Sequence, residues 1–385
     1  MNLLVVWLAA QSFTHRGYME FRFFAFPQTA PNDSGRLIGE ALLRWEPEVS
    51  LGAGWRLLGS IDARSDTYRQ FEREFRLDWQ DRRLLRPAFS LRRFSAQYHR
   101  GSFTAEIGRQ LIRWGKADIL NPIDRFAPRD YLNVVDSDVL GVTAARLSYK
   151  SVEVVWTPRF TPSRTPLLDQ RWTVLPAGLV VPPIGSRIPG RSQFGARWNR
   201  AGRRFEHSLV FFEGFHHLPL LDVDQLARVY PRLRLYGGDA AVPLRWFTVK
   251  GEAAWFTSAT AQADEYVLYV VQLERTHGEW VFIGGYAGEV VTERRNPFGF
   301  APDRGFARAF LGRAGYTIDA RRSVAFEAAV RQTGDAVWVK SEYSHLLGRS
   351  FRATAGFTLI RGNPADFLGQ YRRNSHLLLS LRYSF

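Results

Sequence analysis

The chain of 385 residues has no cysteine. That absence excludes disulfides, thiol nucleophiles and cysteine metal sites. Long apolar runs are also missing. The longest, Leu3 to Ala10, is far short of the roughly 20 residues a membrane helix needs. Helical periodicity is almost absent, and there is no phosphate-loop glycine pattern and no zinc motif. No cofactor and no metal are therefore expected. If such a chain sits in a membrane it must be a closed barrel, because lipid cannot satisfy open strand edges. The charge is one-sided: 52 Lys and Arg against 37 Asp and Glu, a net +15. The basic residues are not gathered in one helix or tail, which argues against nucleic acid. They recur about once per strand-like segment and in the long loops, a distribution that suits a lumen or mouth attracting anions.

What is present is period-2 alternation in segments of about ten residues, the signature of strands with one lipid-facing and one lumen-facing side. About eighteen segments can be marked: 17–27, 36–47, 52–65, 88–99, 102–112, 140–149, 151–160, 192–200, 203–214, 228–239, 245–257, 265–276, 279–291, 306–318, 322–333, 336–347, 350–361 and 374–385. Sixteen strands are also compatible with this pattern. Connections alternate between tight ones, such as Arg100-Gly101 and His277-Gly278, and mostly longer ones, such as 66–87, 113–139 and 161–191. The spacing thus predicts an all-β protein: a transmembrane antiparallel up-and-down β-barrel with short periplasmic turns and long extracellular loops. An even strand count places both termini at the periplasmic end. Residues 1–12 read as the core and cleavage site of a secretory signal, with small Ala10 and Ser12 at the −3 and −1 positions and no basic flank before them. Residues 13–385 then form one barrel domain.

Aromatics next to the tight turns fall in the outward phase: Trp45, Trp55, Tyr98, Phe103, Tyr149, Trp198, Phe205, Phe247, Phe351 and Phe385. They are expected to form one girdle at a lipid–water interface. The opposite phase is polar and supplies the expected lumen lining: Arg22, Arg44, Arg56, Arg64, Arg93, Arg146, Arg197, Arg234, Lys250, Arg352 and Arg382, with Glu252, Arg313 and Glu327 among other charges. Buried charge must be paired or solvated, so the interior is either water-filled or laced with ion pairs.

The last twelve residues, Asn374 to Phe385, alternate Leu377, Leu379, Leu381, Tyr383 and Phe385 on one face with His376, Ser380, Arg382 and Ser384 on the other. A strand of this kind ending on an aromatic carboxyl terminus resembles the closing strand of a bacterial outer-membrane β-barrel. In that family the terminal aromatic is read by the barrel-insertion machinery, which the resemblance makes a partner here through Phe385. Segment 108–138 carries Gly108-Arg109-Gln110 at a strand end, then Trp114-Gly115 and a long loop. This resembles alginate-export and related porin-like barrels, in which such a loop can fold into the lumen. The resemblance implies an outer-membrane location in a Gram-negative-type bacterium, amid lipid and lipopolysaccharide.

The loop after this motif suits an inward constriction on physical grounds as well. Arg109, Arg113, Lys116, Arg125 and Arg129 lie among Asp118, Asp124 and Asp130, with Pro122 and Pro128 as stiff corners. Arginine forks suit carboxylate or phosphate groups. The arginines and Lys116 are expected to attract the anion while Asp118 and Asp124 hold them in place. A second long loop, 157–191, is rich in Pro and Arg and has an apolar centre from Val174 to Ile184; it could act as a lid or touch a partner. Catalysis has little support. His376 and Ser380 share a face but stand about 13 Å apart at strand rise. His216-His217, beside Glu213, Asp222 and Asp224, lack defined ligand spacing. The expectation is therefore a non-enzymatic porin: a basic, anion-selective lumen passing small anionic solutes or an anionic polymer. The competing expectation is a barrel scaffold that sheathes a partner protein or carries a surface polysaccharide, alone or as a homo-oligomer. An outer-membrane hydrolase using His216 or His217 stands third.

Overall fold

The computed structural model describes residues 11–74, 77–118, 120–174, 184–222, 225–295 and 301–385. Eighteen antiparallel strands make the barrel. The first six are β1 (Ser12–Ala25), β2 (Leu37–Gly52), β3 (Trp55–Asp66), β4 (Phe89–Arg100), β5 (Phe103–Gln110) and β6 (Val142–Tyr149). They are followed by β7 (Val152–Thr157), β8 (Gln193–Ala201), β9 (Glu206–Phe215), β10 (Arg232–Pro243), β11 (Thr248–Thr257) and β12 (Glu265–His277). The last six are β13 (Trp280–Glu293), β14 (Ala309–Thr317), β15 (Arg322–Arg331), β16 (Ala336–Leu347), β17 (Phe351–Gly362) and β18 (His376–Ser384). Each strand pairs with the next, and β18 returns to β1, so no strand edge is left open. All eighteen marked segments fall on these strands.

The alternation in the sequence becomes the two faces of the wall. In β1, Phe21 and Phe23 are 48% and 60% exposed on the outside, while Glu20 and Arg22 between them turn inward. Tight turns join the strands at the end that also holds both termini. Gly101 and Gly278 sit in them at φ of 59° and 56°, a region that costs glycine nothing. Except for the hairpin at 332–335, the long connections lie at the other end.

The closing seam explains the terminal aromatic. Phe385 and Gly17 exchange backbone hydrogen bonds, 3.0 Å from Phe385 N to Gly17 O and 2.9 Å from Gly17 N to Phe385 O. The Phe385 ring lies over Gly17: a Cβ there would meet Phe385 Cζ at 2.6 Å and Arg44 O at 2.5 Å. Only glycine permits that approach. The girdle residues Trp45, Trp55, Tyr149, Trp198, Phe247, Phe351 and Phe385 are exposed on the outer surface. Some touch as chains of rings, as in Trp55–Tyr98 at 4.9 Å and Tyr98–Phe103 at 6.3 Å.

The loops contain short strands that the alternation did not mark. Gly185–Arg187, Leu220–Asp222 and Ala227–Val229 form a small sheet between the two loops 158–192 and 216–231. Arg129–Asp130 pairs with Asp138–Val139, and Leu77–Asp78 lies parallel to Phe89-Ser90. Two or three residues carry no readable period, so such pieces escape a sequence reading. The signal-like residues 1–10 and the loop centre 175–183 lie outside the described residues, while Ser12 opens β1 opposite Ser50.

Candidate functional site in the barrel lumen

The loop 111–141 leaves β5 and turns into the barrel. Gly108 (φ +124°) lets β5 bend, since a Cβ there would stand 2.3 Å from Phe94 O. The Gln110 side chain donates from Nε2 to Ala144 O at 3.0 Å, pinning the strand end to β6. Ile112, Trp114, Ile123 and Phe126 are then buried against Phe212, Leu233, Leu235, Phe256 and Leu268 on the inner faces of β9 to β12. Phe126 stands edge-on to both Trp114 and Phe212, each at 5.1 Å. The loop is therefore a piece of hydrophobic core laid on one wall of the lumen.

A single carboxylate holds its deepest part. Glu252 on β11 accepts backbone hydrogen bonds from Ile123 (2.9 Å), Lys116 (3.1 Å) and Ala117 (3.3 Å). Gly115 (φ +100°) makes the approach possible, because a Cβ there would meet Glu252 Oε2 at 2.6 Å. Nearby, Asp118 accepts from Lys250 Nζ at 3.1 Å and is bonded on both sides to the Gln272 amide. Lys116 Nζ reaches Glu206 at 2.9 Å and Asp239 at 3.2 Å.

Between this loop and the wall lies a cavity of about 230 Å³. The loop contributes Asp118, Asn121, Asp124, Arg125, Arg129 and Asp136; β14 to β16 contribute Arg313, Glu327 and Trp338; and Asp303, His216 and His217 close one side. Its charges are of both signs. Arg125 pairs with Asp303 at 3.2 Å and lies 4.7 Å over the Phe256 ring. Arg313 pairs with Glu327 at 3.3 Å, and Asp136 lies 3.9 Å from Lys340. Arg129 has no carboxylate in salt-bridge reach among the described residues; its guanidinium meets Ser137 Oγ at 3.4 Å. Burial pushes the Asp124 carboxyl above its ordinary range, although Trp114 N donates to it at 3.1 Å. For Asp303 the upward pull of burial is outweighed by His216 and Arg125, which hold it below the usual carboxylate range. His217 joins three loops: its ring nitrogens face Arg125 O at 2.6 Å and Thr161 O at 2.9 Å, and the ring stacks on Phe160. Burial pulls His217 down to about 4, against the two carbonyl oxygens, which favour the charged ring. Among the described residues no group of three or more His, Asp and Glu side chains could hold a metal ion.

The expected constriction residues divide. Asp118, Asp124, Arg125 and Arg129 line the cavity, and Arg113 stands beside them with its head exposed, 3.5 Å from Asp124. Lys116 is spent on the wall. Arg109 does not face the pore: it is 1% exposed, donating to Trp79 O at 2.9 Å and lying 3.5 Å from Asp81. The 67–88 loop folds over it, which no local pattern announces. Of the expected lumen lining, most members face inward and are paired. Arg22 meets Glu40 (2.6 Å), Arg44 and Arg64 share Asp62 (both 2.6 Å), and Arg93 meets Glu106 (2.8 Å). Arg146 meets Glu153 (2.6 Å), Arg197 meets Asp239 (3.1 Å) and Arg382 meets Glu20 (2.9 Å). Arg56 reaches Gln97 at 2.7 Å and Arg352 reaches Ser344 at 3.4 Å.

Arg234 is on the other side of the wall. It shares its face with exposed Tyr236, while Leu233 and Leu235 turn inward under the 111–141 loop. Arg232 and Arg234 share Glu213 on that outer face. The rule that arginine marks the lumen fails here because the lumen side is covered by protein. Asp303, Glu252 and the His217 staple were likewise not assigned to the site from sequence. Glu252, Arg313 and Glu327 stood in the polar phase, but nothing marked them out from other wall charges.

The architecture defines a class: a closed eighteen-stranded antiparallel barrel with an inward-folded loop. No family model matches the chain, and no curated protein matches it. Solved structures share the fold along nearly its whole length. A BenF-like porin from Pseudomonas fluorescens Pf-5 superposes with a TM-score of 0.57 at 11% identity, covering 98% of both chains. Pseudomonas aeruginosa OccK2 (OpdF), solved in complex with glucuronate, gives 0.55 at 10% identity, covering 98% of this chain and 97% of that one. Acinetobacter baumannii OccAB4 gives 0.55 at 10% identity and 98% of both. At such identities the likeness is one of fold.

Proposed function

We propose that the protein is an outer-membrane porin of a bacterium with a Gram-negative envelope, passing small solutes by passive, charge-selected diffusion. The observation that carries this reading is the loop 111–141 folded into the lumen against one wall, which leaves a polar cavity lined by charges of both signs. Solved porins of the same fold support it. The outer face, with its rows of exposed Phe, Leu and Trp, suits lipid. Net charge of +15 draws anions to the mouth, and Arg129, with Arg113 next to it, offers the least neutralised guanidinium at the cavity. A cavity this size favours small anionic solutes over a polymer. The scaffold reading loses ground because the protein's own loops occupy the space a sheathed partner would need.

The test is single-channel recording of the refolded barrel in a salt gradient. Steady conductance with an anion-favouring reversal potential is expected. Arg129→Gln should move that potential toward zero, by more than the same change at Arg56 near the turn end. A folded, heat-modifiable barrel without conductance would overturn the channel, and an unchanged potential in the Arg129 variant would overturn its role.

A further inference from the structure

A second concavity, of about 430 Å³, lies among the loops; Ser163 lines both it and the lumen cavity. Its lining includes Arg82, Leu84, Leu85, Ile188, Arg228 and Tyr230. The loop 67–88 supplies one side, and residues 162–165 with Ser186 and Arg228 of the small sheet supply the other.

The charges of this basin do not balance. Among the described residues Glu72 is the only carboxylate in the lining, and it is bonded to Arg83 at 3.0 Å. Arg164, also in the lining, is committed to Asp81 and Asp130. Arg82 and Arg228 are half-buried, and among the described residues neither has a carboxylate in salt-bridge reach. Arg82 Nε and Arg228 Nη1 are shielded from water with no hydrogen-bond partner among the described residues. Other deeply placed arginines of these loops are treated differently. Arg86 has Asp130 at 2.7 Å, and Arg171 has Asp33 at 3.1 Å. Burial, with Arg159 nearby in the case of Arg82, makes it harder for both arginines to keep their charge. A shielded, unpaired guanidinium is costly, and an anion removes that cost. The guanidinium fork matches the planar or tetrahedral oxygens of a carboxylate or phosphate. Around the two arginines the surface is apolar: Leu84 is exposed, and Leu85, Pro162 and Ile188 continue it.

We propose that this basin binds an oxyanion carried on an apolar body, with the Arg82 and Arg228 guanidinium groups on the oxygens and Leu84, Leu85 and Ile188 against the body. Such an oxyanion could reach it as a phosphorylated lipid of the surrounding leaflet or as a free amphiphilic acid. The two arginines and the apolar residues of this site do not line the lumen cavity, and the site does not depend on conductance.

The experiment uses the full-length refolded barrel. Phenyl phosphate and benzoate are titrated calorimetrically into the detergent-solubilised protein, with phenol as the uncharged control. Native mass spectrometry of barrels taken from nanodiscs of phosphatidylcholine with added phosphatidic acid asks whether the lipid is retained. Saturable binding of the soluble acids, or retained phosphatidic acid, is expected, and each points to its own source. Arg82→Gln/Arg228→Gln should weaken that binding at least tenfold, while Arg200→Gln, on an exposed arginine of β8, leaves it unchanged. Heat-modifiable mobility confirms that the variants are folded, and Arg228→Gln alone gives a partial loss. No saturable binding of either kind, equal binding of phenol, or undiminished binding in the double variant would overturn the proposal.

Discussion

Two walls of one lumen are built on opposite plans. Along β1 to β7 the inner face is a ladder of ion pairs: Arg22–Glu40, Arg44–Asp62–Arg64, Arg93–Glu106 and Arg146–Glu153. Along β9 to β12 the part nearest the long connections is apolar, with Val210, Phe212, Leu233, Leu235, Phe256 and Leu268, and Asp239, Lys250, Glu252 and Gln272 follow toward the tight turns. The first wall keeps several of its charged heads partly open to water, as Arg22, Arg93 and Arg146 show. The second is covered by the 111–141 loop. The difference teaches what decides where a lumen loop rests. An apolar inner wall exposed to water would lose roughly 25 cal/mol for every Å² left uncovered, so the loop that brings Ile112, Trp114 and Phe126 is drawn to it. The charged side meets the loops through ion pairs instead, with Arg92 at 2.7 Å and Arg64 at 3.7 Å from Asp138 of the same loop. The cavity that remains lies toward β14 to β16, where Arg313, Glu327 and Trp338 line it.

The strongest way to break this contrast is to release the loop from its wall. Glu252→Ala removes the acceptor of three backbone N–H groups in a buried place. Each donor left unpaired costs about 1–3 kcal/mol. The loop should lift, and single-channel conductance should rise several-fold with weaker ion selectivity. An unchanged conductance would show that the apolar contacts alone hold the loop.

The next test concerns the charged side, where Asp130 accepts from Arg86 at 2.7 Å and from Arg164 at 3.0 Å. Asp130→Asn removes one counter-charge from two buried guanidinium groups, leaving Arg164 with Asp81 and Arg86 with Glu40 at 3.6 Å, a loss of about 1–3 kcal/mol. The temperature at which the folded band converts on a gel should fall clearly. If it does not, this network contributes far less to stability than its burial suggests.

A smaller effect comes from pH at the staple between loops. His217 is held at about 4, below its ordinary range, so the folded state prefers the neutral ring. Its contribution is fully present above the unfolded value near 6.5 and is lost as pH falls through about 4, at most roughly 3 kcal/mol. Acid should therefore destabilise the native barrel relative to His217→Gln between those limits, read as the difference between their pH–stability curves. Parallel curves would remove His217 from the account.

The least effect is expected at Arg234, which sharpens the contrast by sitting outside it. Because it lies on the outer face with Glu213, Arg234→Gln should leave conductance and reversal potential within error. A shift comparable to that of Arg129→Gln would mean that the face of β10 has been assigned the wrong way round.

Much of the fold was legible in the chain. Strand alternation, turn glycines and the Asn374 to Phe385 pattern lead to a closed barrel of eighteen strands. They do so because a closed wall with an apolar outer face and a different inner face imposes a period of two that each strand repeats locally. The inward loop was legible in part. Gly108, Gln110, Trp114 and Gly115 each have a visible structural task, but Arg109, read with them as a pore residue, is covered by the 67–88 loop. The cavity was less legible. Asp124 and Asp303 are nearly two hundred residues apart in sequence, and no period links them.

What the sequence determined by itself is therefore the wall: its strands, its outer apolar face, its closing aromatic and the excess of positive charge. Only the tertiary structure decided which inner faces are wet. Phe212, Leu233 and Leu235 face inward because another part of the chain covers them, and Arg234 faces outward for the same reason. Local alternation records that a strand has two different faces. Which face meets water depends on what folds against it, and that is a property of contacts between distant segments.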